Sequence, residues 1–270
     1  MIRNLDKTLV YANVATRRYE GEIRQYGDTV RINQVGDVSI ATYTRNSTSV
    51  SPEELSDMQT ELKIDQSNHF AFSIDDLDMA QAQGQDGVLA EGTRKGAYGL
   101  ADTVDQRLAG LYASNGLAQN TNDSPVDMTS VNVEDEFLAC AETMDENNIP
   151  REGRYAIIPP WAHTKLILAG ITNLSQNNDT WVNGYIGRAL GFNFYMSNNV
   201  SKNSSSWDKT RIMCGVAGET MAYAQQLLKI EAYRPEGSFS DAVKGLHLSG
   251  SKILRPDMGL TLYADKTAEA

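Results

Sequence analysis

One apolar pattern in the sequence is long and regular enough to constrain the fold by itself. It runs from about Asp86 to Ser114, and its apolar or small residues are separated by three or four positions. The members of this stripe are Leu89, Thr93, Ala97, Leu100, Val104, Leu108 and Leu111. Such spacing predicts a single α-helix with one buried face. A helix of this length spans on the order of 40 Å.

Three glycines interrupt the predicted helix, and each lowers its intrinsic stability by roughly 1 kcal/mol relative to alanine. They are Gly92, Gly96 and Gly99. Their regular spacing predicts that another element packs closely against the helix backbone. In the middle of the apolar stripe, we expect Leu100 and Val104 to be buried against strands that return near the C-terminus.

Two stretches of alternating polar and apolar residues precede the helix. In the first, Val30 and Ile32 lie on one side of a predicted strand. In the second, from Glu61 to Ile74, the apolar positions are Leu62, Ile64, Phe70, Phe72 and Ile74. The polar stretch TRNSTSVSPEELSD lies between them. The pattern predicts a long hairpin with little hydrophobic mass of its own, preceded by an extended arm at residues 1–20.

An α/β pattern follows the helix, after a polar loop at residues 115–127 that is the best candidate for a domain boundary. The predicted helices span Val133–Asn147, Trp161–Ala169 and residues 218–227. The predicted strands are Arg154–Ile158, a strand through Phe192 and Phe194, residues 209–218, and several strands between Leu228 and Tyr263. The mixture predicts an α+β fold.

Charge and composition exclude several classes of protein. The net charge is −11, and lysines and arginines are scattered singly, whereas nucleic-acid binders concentrate them in a basic patch. No apolar run approaches the roughly 18 residues that span a bilayer. The first twenty residues do not resemble a signal peptide, so we expect the protein to stay in the cytoplasm that made it or in a particle assembled there. In that compartment Cys140 and Cys214 are predicted to be free, buried thiols.

No catalytic, cofactor-binding or metal site is predicted, because the sequence contains no nucleophile elbow and no phosphate-binding glycine loop. The histidines fall in different elements, at His69, His163 and His247. The glycines Gly184, Gly187 and Gly191 match no phosphate loop, and a turn before a strand explains them as well as a ligand cradle does. The tryptophans Trp161, Trp181 and Trp207 are too dispersed to form a stacking platform.

A cluster of carboxylates is the strongest enzymatic candidate, at Asp75, Asp76 and Asp78. Three carboxylates in four residues could hold Mg²⁺. They could equally cap free N–H groups at the start of a helix. We favour capping, because no accompanying motif supplies phosphate contacts.

The order of these elements, together with five sequence stretches, resembles the Hong Kong 97-like fold of tailed-phage major capsid proteins. The similarity is strongest to coat proteins related to that of the Salmonella podovirus. The stretches are GDTVRI (27–32), SIDDLDMAQA (73–82), GRYAIIPPWAHTKLI (153–167), GYIGRALGFNFYMSNNV (184–200) and DAVKGLHLSGSKILRPDMGLTL (241–262).

This resemblance implies a domain organisation. Its parts are an N-terminal arm at 1–20, an E-loop at 21–72, a first part of the P domain with a spine helix at 73–116, an A domain at 117–227, and returning P-domain strands at 228–270.

The resemblance also implies a function. The chain would be a structural protein that catalyses nothing and binds no cofactor. It would self-assemble as pentamers and hexamers into the icosahedral shell of a virion, in the host cytoplasm and away from membranes. The shell would enclose double-stranded DNA without sequence-specific binding. A portal and a separate scaffolding protein would be further partners, and no crosslink is expected at Lys63. The alternatives are an encapsulin-type nanocompartment shell and, more remotely, a metal-dependent α/β hydrolase using Asp75 to Asp78.

Overall fold

A computed structural model describes the chain at residues 9–19, 29–35, 40, 42, 45, 57–75, 85–113, 117–119, 124–170, 185–202, 209–237 and 239–266. Within these ranges the helices are α1 (Tyr11–Val14), α2 (Gln85–Gly110), α3 (Val133–Glu146) and α4 (Pro160–Leu168). The strands are β1 (Thr29–Val35), β2 (Asp57–Lys63), β3 (Gln66–Asp75), β4 (Ala118–Gln119), β5 (Val126–Met128), β6 (Arg154–Ile158), β7 (Tyr185–Ala189), β8 (Phe192–Met196), β9 (Ser201–Lys202), β10 (Lys209–Val216), β11 (Met221–Tyr233), β12 (Ser240–Ile253) and β13 (Gly259–Lys266).

The predicted long helix is α2, which is 26 residues long and ends in a 3-10 turn at Leu111–Ala113. It lies on a three-stranded antiparallel sheet with the order β11-β12-β3. Two of its glycines confirm the predicted close approach. A Cβ atom added at Gly92 would lie 2.7 Å from the Phe72 ring, and one added at Gly96 would lie 2.7 Å from the Phe70 ring. At Gly99 the same position is open space.

Among the stripe residues whose burial the structure describes, the buried ones are Val104 and Leu108 near the end of α2 and Leu111 in the 3-10 turn. Val104 is therefore buried, as predicted. The prediction for Leu100 is wrong, because this side chain is only half-buried. In the N-terminal half of α2, the face that contacts the sheet carries Gly92 and Gly96. This face is rotated by roughly a quarter turn around the helix axis from the apolar stripe.

The second sheet has eight strands, with the main order β4-β13-β10-β6-β8-β7. Strands β5 and β9 pair with β13 and β10 at its margin. Helices α3 and α4 contribute to the hydrophobic core on this sheet, where the Phe137 and Phe194 rings meet edge to face with centroids 5.1 Å apart. The predicted strand Arg154–Ile158 is β6, and α4 has Pro160 in its first turn, as expected.

The prediction of a helix at residues 218–227 is wrong. Most of this segment is the first part of β11, which pairs residue by residue with β12 from Met221↔Ile253 onward. Alanine, glutamine, methionine and leucine favour helices in isolation. The ladder to β12 and the burial of Met221 and Tyr223 outweigh that preference, since strand formation depends on context.

Two predicted domain boundaries fall inside strands of the structure. Residue 72 lies within β3, and residue 227 lies within β11. In addition, β13 belongs to the last predicted segment but pairs with β10 in the eight-stranded sheet. The domain division by sequence therefore does not follow the division into sheets.

Candidate assembly surface

The predicted hairpin is present in part, as the antiparallel pair β1–β2, in register from Thr29↔Lys63 to Val35↔Asp57. Most of the stretch predicted as its second strand, Glu61–Ile74, is instead β3, which pairs with β12. The base of the β1–β2 hairpin is part of the chain's own core. Val30, Ile32, Leu62 and Ile64 are buried together against residues of β11, β12 and the turn after β12, namely Ala222, Ala224, Leu248 and Leu254. The base of the hairpin is therefore anchored on the three-stranded sheet.

Between β1 and β2, the described residues Ile40, Thr42 and Arg45 are exposed. Ile40 lies between β1 and β2 in sequence and is 99% exposed. On the strands, the Arg31 guanidinium and the Glu61 carboxylate form an ion pair of 3.4 Å between two exposed side chains. A fully exposed isoleucine beyond an anchored base is the arrangement expected of a segment that is covered in an assembly.

The N-terminal segment contacts the chain's own body, which differs from the predicted extended arm. The carboxylate of Asp105 on α2 accepts hydrogen bonds from the backbone N–H groups of Val10 (3.1 Å) and Tyr11 (2.8 Å) at the start of α1. The Asn199 side-chain amide donates to the same carboxylate at 3.0 Å. Burial raises the pKa of Asp105, although these hydrogen bonds oppose the rise. Residues 1–8 of the predicted arm lie outside the described residues.

Our sequence reasoning missed Asp105. The signal was an acidic residue directly beside the buried stripe position Val104. An acid at such a position must find donors inside the fold, because an unpaired buried carboxylate is costly.

A groove of about 480 Å³ runs between β3 and α2. Its walls include residues 67–70 of β3 and Lys95, Gly99, Leu100 and Thr103 of α2. Gly99 faces open space here, and Leu100 is half-buried. The groove is a concave surface on the three-stranded sheet, which also anchors the base of the β1–β2 hairpin.

The residues considered for chemistry do not come together. Asp75 is the exposed last residue of β3, while Asp76 and Asp78 lie outside the described residues. The three histidines lie in β3, α4 and β12. In the part of the chain that the structure describes, no three His, Cys, Asp or Glu side chains are grouped closely enough to hold a metal ion.

The glycines and tryptophans that were considered for ligand binding or base stacking lie in a turn, in the core or outside the described residues. Leu190 and Gly191 have φ angles of 51° and 84°, which fits a tight turn between β7 and β8. Gly184, Trp181 and Trp207 lie outside the described residues, and Trp161 is buried in the core.

The two cysteines confirm their prediction, since both are free and buried. Burial raises the pKa of Cys140 to about 12. Among the described helices, none combines the length and hydropathy needed to cross a bilayer.

Comparison with known proteins identifies the family. Residues 59–262 match the family described as phage capsid protein. No functionally curated protein matches the sequence. A solved chain from Mycobacterium phage Che8 is 27% identical, with a TM-score of 0.76 over 97% of this chain and 93% of that one.

Two further solved structures share the fold at lower identity. A chain from the capsid of Cyanophage P-SCSP1u is 19% identical, with a TM-score of 0.76 over 99% of this chain and 91% of that one. A chain from the capsid of Ralstonia phage GP4 is 13% identical, with a TM-score of 0.63 over 100% and 94%.

These matches confirm the α+β, Hong Kong 97-like fold expected from the sequence. The function expected from the resemblance is confirmed with it: the protein is a non-enzymatic major capsid protein of a tailed-phage virion and forms the shell by self-assembly. By the match along most of its length, the chain belongs to the phage capsid protein family.

Proposed function

We propose that the subunits of this shell are held together by the β1–β2 hairpin, which acts as an E-loop and lies over a neighbouring subunit. The observation that carries the proposal is the contrast along the hairpin. The base is buried in the chain's own core, whereas Ile40 beyond it is 99% exposed. A two-stranded hairpin is marginally stable in water, so its outer part needs a second surface.

A hairpin that reaches one neighbour makes a contact between two different surfaces of the same protein. Repeating such a contact by rotation closes a ring. This geometry supports pentamers and hexamers as the building units of an icosahedral shell, assembled in the host cytoplasm. A portal and a separate scaffolding protein would complete the particle.

The negative net charge supports a shell that encloses double-stranded DNA but does not bind it. The net charge of −11 disfavours attraction to phosphate. A lining that bound phosphate tightly would hold DNA at the wall, because lysine and arginine contacts release counterions and give strong non-specific affinity. An acidic container leaves the packaged DNA free to move inside.

The finer assignments belong to the same proposal. They are the arm at 1–20, the E-loop at 21–72, the spine helix within 73–116, the A domain at 117–227 and the returning P-domain strands at 228–270. A closer relation to the coat protein of the Salmonella podovirus is proposed on the five sequence stretches given above.

The experiment removes the outer hairpin and keeps its base. Because Val35 and Asp57 are paired, residues 36–56 can be replaced by Asn-Gly, which forms a two-residue turn. The buried side chains of the base remain, so we expect a soluble subunit with a cooperative thermal melt close to that of the wild type. Sedimentation should show monomers or small oligomers where the wild type forms closed shells.

Two outcomes would contradict the proposal. Closed shells of normal diameter from the shortened chain would show that the outer hairpin does not hold subunits together. A shortened chain that fails to melt cooperatively would show that residues 36–56 belong to the core of the subunit instead.

A further inference from the structure

The contact between α2 and the three-stranded sheet has a polar layer in its middle. At one end of the contact, the Phe70 ring packs closely against Gly96. At the other end, Val104 and Leu108 share a hydrophobic cluster with residues of β11 and β12. Between these ends lies His247 of β12, which is only 7% exposed. A buried polar side chain is unfavourable unless its hydrogen bonds are satisfied, so the state of this histidine affects the whole contact.

His247 lies on the side of the sheet that faces α2. It is directly opposite Asn68 of β3, which is two positions before Phe70 and therefore on the same face as the Phe70 ring. Ser251, four positions after His247 on the same strand, accepts a hydrogen bond of 3.1 Å from the Arg107 guanidinium of α2. The imidazole ring is therefore part of the layer between the helix and the sheet.

The hydrogen bonds of His247 fit the neutral ring. The Tyr223 hydroxyl donates to Oε1 of Gln225 at 2.5 Å, and Nε2 of His247 lies 3.3 Å from the same oxygen. An amide oxygen only accepts, so Nε2 carries the hydrogen of the neutral ring and Nδ1 carries a lone pair. Among the described residues, Nδ1 has no hydrogen-bond partner. Protonation of Nδ1 would add a buried charge and a donor without an acceptor, and both are unfavourable.

The charged groups that α2 and β3 bring to this layer do not favour a second positive charge. The Arg107 guanidinium reaches the sheet from α2 and holds the carboxylate of Asp65, with contacts of 2.7 and 2.8 Å. Lys95 of α2 lines the groove between α2 and β3. On β3, the residue opposite His247 is the uncharged Asn68. A protonated ring would therefore meet positive charge on the α2 side.

The groups on β11 and β12 do not supply a counter-charge either. On β11 the titratable neighbour is Tyr223, and the Arg17 guanidinium lies 5.6 Å from the centre of its ring. Lys244 is three positions before His247 and so lies on the opposite face of β12, where its ammonium group is 3.1 Å from the Glu231 carboxylate. In the part of the chain that the structure describes, no carboxylate is paired with the His247 ring.

We propose that His247 makes the contact between α2 and the three-stranded sheet sensitive to acid: the neutral ring fits the contact, and the protonated ring loosens it. Protons have a route to the ring, because the groove between α2 and β3 is lined by Asn68, directly opposite His247. This conformational device goes beyond shell formation and does not depend on the β1–β2 hairpin.

The direction of the pH dependence follows from burial. Burial lowers the pKa of His247 below 6.5, the value of an exposed histidine. When α2 opens from the sheet, the ring takes up a proton near that value, whereas in the closed contact it does so only at lower pH. The stabilisation from the neutral ring is therefore complete above about pH 6.5 and is lost as the pH falls toward the lowered pKa.

The first test measures amide hydrogen exchange of the wild-type subunit at about pH 7.5 and about pH 5.0. After correction for the intrinsic pH dependence of exchange, protection at residues 96–107 of α2 should fall by about threefold or more at the lower pH. Protection of β13 should change by less than about twofold. The other buried histidine, His163, lies in α4 on the eight-stranded sheet, so regional exchange separates its effect. Equal falls in α2 and β13, or no fall in α2, would overturn the inference.

The second test removes the titrating ring. His247→Gln keeps a polar side chain that does not titrate, so residues 96–107 should lose less than about twofold of their protection over the same pH range. His69→Gln is the matched control, because His69 is exposed on the other face of the adjacent strand β3. The control should keep the wild-type loss. A loss in His247→Gln as large as in the wild type would overturn the inference, and a variant that does not fold leaves the wild-type measurement to decide it.

Discussion

At the scale of single residues, Arg154 shows how a buried charge holds the fold together. It is the first residue of β6, and its side chain is 2% exposed. Its guanidinium donates to the carbonyl groups of Ile149 (2.6 Å) and Pro150 (3.0 Å) and to the Asp145 carboxylate (2.7 Å). The same carboxylate also accepts from Arg151, whose side chain is 79% exposed. Both arginines lower the pKa of Asp145, but only Arg154 also satisfies buried carbonyl groups.

We predict that Arg154→Met destabilises the unassembled subunit by about 1–3 kcal/mol, since it leaves the carbonyl groups of Ile149 and Pro150 without this donor. Arg151→Ala is the control and should leave the denaturation midpoint nearly unchanged, because exposed ion pairs contribute little. Urea denaturation followed by tryptophan fluorescence measures both variants. Equal midpoints for the two would show that burial of the Arg154 guanidinium is not what matters.

At the scale of elements, α2 depends on glycine where it crosses β3. The Phe70 ring lies between the backbone of α2 at Gly96 and that of β12 at Gly245, and it is in close contact with both. An added methyl group at either position would overlap the ring. Gly99 lies less than one turn further along α2, where the surface is open. Glycine at position 96 therefore allows close packing against Phe70, whereas glycine at position 99 only lowers the helix propensity.

We predict that Gly96→Ala destabilises the subunit by about 1–3 kcal/mol through overpacking. Gly99→Ala should stabilise it by about 0.5–1 kcal/mol, because alanine has the higher helix propensity and meets no neighbour. Differential scanning calorimetry of the unassembled subunits gives both signs in one experiment. Stabilisation by both substitutions would mean that α2 is not held against Phe70.

At the scale of the whole molecule, β13 ties the C-terminus into the eight-stranded sheet. It pairs antiparallel with β10 along seven register pairs, from Lys209↔Asp265 to Gly215↔Gly259. Leu260, Leu262 and Ala264 are buried in the core beneath α3 and α4. Only a short turn separates β13 from β12, which belongs to the other sheet.

We predict that amides of β13 exchange with solvent hydrogen together with those of β6 and β10, as one cooperative unit. Amides of residues 240–247 in β12 should exchange faster in the unassembled subunit. Leu262→Ala should accelerate exchange in β6 and β10 by the same factor as in β13. Exchange of β13 in step with residues 240–247 would contradict this organisation.

Local patterns in the sequence were sufficient for most of the elements. The three- and four-residue spacing predicted α2, and the run RYAII with the following prolines predicted β6 and α4. Alternation predicted β1, the end of β2 and most of β3, although it did not show that β3 pairs with β12. They were insufficient where a residue's state depends on its neighbours in space. Residues 218–227 have helical composition and form part of β11, and Leu100 lies in the stripe and is half-buried.

The candidate surfaces divide in the same way. The weak hydrophobic content of the β1–β2 hairpin was legible in the sequence, and so was the resemblance that led to the capsid family. The exposure of Ile230, Tyr233 and Phe239 was not, because only the structure shows that no other described segment covers them. Sequence alone determined most of the elements and the resemblance to the family, since both depend on local periodicity and motif order. Tertiary structure alone decided which apolar side chains remain uncovered, because burial depends on what distant segments bring into contact.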